Sequence, residues 1–186
     1  LSPRLDASMI ALYHACRNAL GEEGGKCLEL VGLRESAGAS ALTAVLARVI
    51  AGNLDKPVLY VNANRQFIPF PVTMRHTGPA LDAVMNGEVS IHQASTPYIN
   101  GNLHISSLCN NVEDSPIADV LSAPFKTLLD GLRQEYDTIL FDPPPLRDGA
   151  EGFSLAGRID GVILVLEAER TRWQSASSAA VRLQEH

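Results

Sequence analysis

The sequence contains no apolar run approaching the ~18 residues that cross a bilayer, and its first residues do not read as a secretory leader. A membrane-spanning or exported protein is therefore not expected. Positive charge is in deficit. Fifteen Lys and Arg against 21 Asp and Glu give a formal net charge of −6, which argues against a general nucleic-acid binder. Cysteine is sparse. Cys16, Cys27 and Cys109 form an odd, scattered set without metal-ligand spacing, as expected of reduced thiols in the cytoplasm. His76, His92 and His104 are equally scattered and read as surface or hydrogen-bonded histidines. There is no internal repeat and no low-complexity tract. What remains is 186 residues with 46% apolar and 19% charged content, enough for one domain with a sizeable core.

The chain is organised around residues 27–50. Cys27-Leu28-Glu29-Leu30-Val31-Gly32-Leu33 is an apolar, strand-like run. Glu35-Ser36-Ala37-Gly38-Ala39-Ser40 is a loop rich in small residues. Leu42, Val45, Leu46, Val49 and Ile50 then recur at helical spacing. Strand, small-residue loop and helix is the layout of a phosphate-binding P-loop, whose backbone N–H groups and helix N-terminus cradle an anion. Such a loop carries Gly-Lys-Ser/Thr. Here Gly38-Ala39-Ser40 stands instead, and the phosphate-binding lysine is absent.

Around that unit, strands alternate with helices. Ser2-Pro3 opens a helix with Met9, Leu12, Tyr13, Cys16 and Leu20 on one face, closed by Gly21 and Gly24-Gly25. Strands are expected at residues 27–33, 58–61, 103–108, 138–141 and 161–166. Residues 65–101, broken by Pro69, Pro71, Pro79 and Pro97, are read only as far as a short helix at 80–85. Residues 110–115 read as a polar loop and 116–121 as a helical turn. Pro124 suits a helix N1 position, with Phe125, Leu128, Leu129 and Leu132 facing inward; a last helix spans 172–184. Continuous apolar strands suit a mainly parallel sheet flanked by helices on both faces, a three-layer α/β sandwich of P-loop NTPase type, as a single domain over 1–186 with 1–25 as N-terminal helix and linker. Ligands bind such sheets at the carboxyl ends of the strands. That brings together the loop at 35–40, Asn62-Ala63-Asn64, and Asp142, which Pro143-Pro144-Pro145 follows and cuts off from further pairing.

Taken in order, these pieces resemble the cytoplasmic domain of bacterial tyrosine autokinases (BY-kinases), which share the P-loop fold of MinD/ParA-type ATPases. The second Walker motif is matched by Val58 to Asn64. The Walker B phrase is matched by Tyr136-Asp137-Thr138-Ile139-Leu140-Phe141-Asp142-Pro143-Pro144, and the following strand by Asp160-Gly161-Val162-Ile163-Leu164-Val165. Gly78-Pro79-Ala80-Leu81 to Gly87, and Leu103-His104-Ile105, match further segments. The resemblance implies a place in capsule or exopolysaccharide assembly, beside a Wzz-type membrane protein.

The departures fall on the chemistry. Phosphoryl transfer needs cations on the β- and γ-phosphates and carboxylates to hold Mg²⁺ and activate the acceptor. Ala39 replaces the lysine, and Asn62 and Asn64 replace both aspartates of the second motif. An amide neither acts as a base nor neutralises a metal. Ser40 and Asp142 alone keep the types that would hold Mg²⁺. The family's Glu-x-x-Arg-x-x-Arg ring contact becomes Ala11, His14 and Arg17, and its C-terminal tyrosine cluster is missing, Tyr136 being the last tyrosine.

The expected protein is a catalytically inactive, kinase-like adaptor. Its vestigial residues are Asn62, Asn64 and Asp142 at the catalytic positions and Ser36, Ala37, Gly38, Ala39 and Ser40 at the phosphate loop. It holds ATP and Mg²⁺ weakly or not at all. Its expected partner is a Wzz-like polysaccharide co-polymerase or an active BY-kinase, and it is a monomer or homodimer rather than an octameric ring. It works in the cytoplasm, peripheral at the inner membrane through that partner, without nucleic acid. The alternatives are an ATP-binding autokinase or ATPase with a non-standard Walker A, Arg34 standing in as the cation, and a MinD- or pilus-assembly-type positioning ATPase. Simpler roles compete for several residues: Ser40 as a helix N-cap, Asp142 as a turn former, Asn62 and Asn64 as loop residues, Arg65 as a solvated charge, and Trp173 as a packing residue or an interface residue.

Overall fold

The structure is a computed structural model that describes residues 3–34, 37–64, 69–74, 76–109, 120, 122–146 and 151–185. Its strands are β1 (Lys26–Gly32), β2 (Val58–Asn62), β3 (Thr96–Tyr98), β4 (Leu103–Ser107), β5 (Thr138–Asp142) and β6 (Gly161–Val165). They form one sheet in the order β3-β4-β2-β5-β1-β6. All pairings are parallel except β3 with β4. The strands expected at 27–33, 58–61, 138–141 and 161–166 all lie in this sheet, β1 lying one residue earlier than expected. β3 was not foreseen. Its Pro97 cannot donate to a ladder, which suits an edge strand.

Helices cover both faces because side chains alternate along each strand. Leu28 and Leu30 of β1 pack with α1 (Pro3–Leu20) and α2 (Ala39–Asn53). Cys27 points the other way, into a core with α3 (Leu81–Met85) and α4 (Ala123–Glu135). Val31 packs against α5 (Glu151–Ala156) and α6 (Trp173–Gln184). Two covered faces explain why the strands are apolar throughout.

Three local details differ from the sequence reading. Arg17, the surviving member of the ring-contact pattern, is 5% exposed. It donates to the carbonyls of Gly24 (2.9 Å) and Glu22, so its charge fastens the turn after α1 within this chain. Pro124 occupies the second helical position of α4 rather than N1, because Ser122 is the N-cap and accepts from Phe125 N–H at 3.3 Å. Trp173 is 78% exposed and packs little, since α6 turns the small Ala176 and Ala179 inward. The polar loop at 110–115 and most of the turn at 116–121 lie outside the described residues, as does Arg65; Val120 is buried. His76 hydrogen-bonds Thr96 Oγ1 at 2.8 Å and the Pro79 carbonyl at 2.7 Å, and His104 bonds Ser95 and the Gly101 carbonyl.

Candidate functional site

The described part of the loop between β1 and α2 folds back tightly onto its strand. Gly38 is the N-cap of α2 with φ 77°, a left-handed conformation natural to glycine. Ala37 N–H donates to the Arg34 carbonyl and Leu42 N–H to the Gly38 carbonyl, each at 3.0 Å. A Cβ at Gly32 would lie 2.8 Å from the Ala37 Cβ, so the fold-back of the loop onto its strand needs glycine there. Ser40 is therefore not the N-cap. It sits in the first turn of α2, with its hydroxyl toward Asp142. Ala39 is the first residue of α2 and ends in a methyl group. Arg34 is exposed at the start of the loop, and Ser36 lies outside the described residues.

The strand ends meet as expected. In the β2–β5 register Asn62 stands opposite Asp142, and Ala63 N–H donates to the Asp142 carbonyl at 3.0 Å. The Asn62 side-chain oxygen accepts from Asn64 N–H at 3.0 Å, an Asx turn that engages its acceptor locally. Asn64 is itself 6% exposed.

The decisive feature is at Asp142. Its side chain is fully buried, and Oδ2 accepts a hydrogen bond from the Tyr60 hydroxyl at 2.5 Å. Oδ1 has no hydrogen bond of standard geometry. Burial raises the carboxyl from 3.8 to about 6, partly offset by the hydroxyls of Tyr60 and Ser40. Burial and the neighbouring Asp142 hold the Tyr60 phenol well above its usual value, so it stays protonated and donates. Phe70 closes the other side of Tyr60, edge-on at 4.8 Å between ring centroids.

A magnesium–nucleotide site requires several hard oxygen ligands and compensating charge. This set offers one buried carboxylate, already engaged through Oδ2, and one hydroxyl. Asn62, Asn64 and Ala39 add no charge. Among the described residues, these side chains do not fit a firmly held Mg²⁺–ATP. A cavity of about 550 Å³ opens between α2 and residues 69–74, beside Arg48, but Ser40, Asn62 and Asp142 do not line it.

Tyr60 escaped the sequence reading because it sits in an apolar run. Strand parity held the clue: residues 60 and 62 share a face, and Asn62 pairs with Asp142. Glu29 escaped likewise. It is fully buried on the face of Cys27 and Val31, neither carboxyl oxygen has a hydrogen bond, and burial raises it from 4.5 to about 8.

No family model matches the sequence, and no curated protein does. Solved structures do match. The MinD protein of Pyrococcus horikoshii complexed with Mg-ADP superposes with TM-score 0.65 at 19% identity, over 87% of this chain and 65% of that one. The fold is thus that of the P-loop NTPases. Within the class, the kinase domain of the Escherichia coli tyrosine kinase ETK gives TM-score 0.82 at 19% identity, over 97% of this chain and 70% of that one. The VpsO kinase domain gives 0.79 at 21%, over 98% and 90%. The BceF tyrosine kinase domain gives 0.77 at 23%, over 97% and 71%. The particular fold is that of the bacterial tyrosine kinase domains.

Proposed function

We propose that this protein is a kinase-like domain without phosphoryl-transfer activity, serving as an adaptor or regulator in exopolysaccharide or capsule assembly. One observation carries the loss of activity: Asp142, the remaining carboxylate of the strand-end site, is buried and held by Tyr60 while Asn62 faces it. The fold shared with the ETK, VpsO and BceF kinase domains supports the kinase-like part. The partner is a Wzz-like co-polymerase or an active kinase of the same fold, met at the cytoplasmic side of the inner membrane. An octameric ring is not expected. Ala11 and His14 remove an acid and a base of the ring contact, and Arg17 is engaged inside its own chain.

Titration with Mg²⁺–ATP by calorimetry tests the reading. Charge-assisted hydrogen bonds contribute roughly 1.5–3 kcal/mol each. Losing one or two at Ala39 weakens binding by about one to four orders of magnitude, so affinity is expected to be no better than high micromolar. Ala39→Lys should recover some binding and little turnover, with Asn62→Asp and Asn64→Asp needed for more. Low-micromolar affinity in the unaltered chain would contradict the proposal.

A further inference from the structure

The cavity between α2 and residues 69–74 stands apart from the strand-end site. Ala41, Ala44, Val45 and Arg48 line it from α2. Their spacing of i, i+3, i+4 and i+7 makes them one helix face. Phe70, Met74 and Ile99 stand across from them. Among the described lining residues, Arg48 alone is charged. It closes the stripe at the end farther from the phosphate loop, since α2 begins at Ala39. Its side chain is exposed, and among the described residues no carboxylate pairs with it.

Ile99 stands there against the preference of its turn. It is a central residue of the β-turn at 98–101 that follows β3, closed by Gly101 N–H donating to the Tyr98 carbonyl at 3.1 Å. Ile99 has φ 48° and Asn100 φ 56°. Positive φ at both central positions favours Asn, Asp and Gly, and a β-branched residue there is strained. Strain of this kind gathers at ligand clamps.

We propose that this cavity binds a small amphipathic anion, with its apolar body between α2 and Phe70 and its carboxylate or phosphate head on Arg48. The volume of about 550 Å³ suits a small molecule. The lining is too small for a stable protein interface, which takes roughly 20–30 residues a side. From Ala41 to Arg48 the helix rises about 10 Å, so a short chain spans the stripe. The occupant would also touch the ring that closes off Tyr60, because Phe70 lies edge-on to Tyr60 at 4.8 Å.

This inference does not rest on lost catalysis, because Ser40, Asn62 and Asp142 do not line the cavity. The test is a titration of the 186-residue chain without nucleotide. Octanoate, octylammonium, octanol and butyrate are added below their micelle concentrations and followed by methyl NMR. Octanoate should shift the Ala44 and Val45 methyl signals saturably. Each buried methylene is worth about fourfold, so octanoate should bind at least about tenfold tighter than butyrate. Its head should make it at least about tenfold tighter than octylammonium. Arg48→Gln, at an exposed position, should weaken octanoate by about tenfold or more and leave octanol unchanged. Ile99→Asn suits the turn, removes part of the wall, and should weaken octanoate and octanol alike. No saturable shift, equal binding of octylammonium, or an Arg48→Gln variant that binds octanoate as before would each overturn the proposal. Two further outcomes would also overturn it. Shifts of Ala44 and Val45 that follow protein concentration alone would assign the cavity to a second copy. Shifts produced by anionic phospholipid vesicles and not by octanoate would assign it to a membrane surface.

Discussion

Glu29 and Asp142 stand on adjacent strands, on opposite faces of the sheet, and both side chains are fully buried. Neither carboxyl oxygen of Glu29 has a hydrogen bond, and burial carries it from 4.5 to about 8. Asp142 has the Tyr60 and Ser40 hydroxyls beside it and rises only from 3.8 to about 6. Burial disfavours the charge in both places, and hydroxyl donors return part of the loss in one. A buried strand-end carboxylate can thus keep much of its acidity where a hydroxyl donor engages one of its oxygens.

The largest expected effect is at Glu29. The unfolded carboxyl ionises near 4.5 and the folded one near 8, so its contribution is fully present below pH 4.5 and lost as pH rises through 8. Glu29→Gln should therefore leave stability near pH 4 unchanged and raise it by about 4–5 kcal/mol at pH 9. Urea unfolding at both pH values checks this, and a pH-independent difference would break the comparison. Asp142→Asn should show the same sign in a lower window. Its benefit should grow from pH 4 to pH 6 and level off at about 3 kcal/mol. Tyr60→Phe removes the donor, should cost about 1.5–3 kcal/mol, and should move proton release by Asp142 above 6, visible in its carboxyl carbon shift across a pH titration. Ser40→Ala is the smallest change, at about 1 kcal/mol or less in urea unfolding, with a slight rise in the same titration; an effect equal to that of Tyr60→Phe would make the serine the main partner.

The layered fold was legible because both faces of the sheet are covered and its strands read as unbroken apolar runs. The strand, loop and helix at 26–53 were legible because an apolar run, a stretch of small residues and a helically spaced apolar set follow one another. β3 was not, since Pro97 argues against a strand until an edge position is known. Glu29, Tyr60 and Arg17 share a different reason. Each is a polar residue inside a pattern that names the element, and the pattern does not say what the side chain meets. Register decided Tyr60, by setting Asn62 opposite Asp142. Arg17 was decided by the turn at Glu22 and Gly24, which lies within its own reach.

The most direct measurement is Mg²⁺-dependent ATP hydrolysis and tyrosine autophosphorylation by the unaltered chain, run beside Asp142→Ala. No turnover above background is expected from either protein. Hydrolysis by the unaltered chain that Asp142→Ala abolishes would show that Asp142 still serves a reaction, and would contradict a kinase fold whose site has been closed.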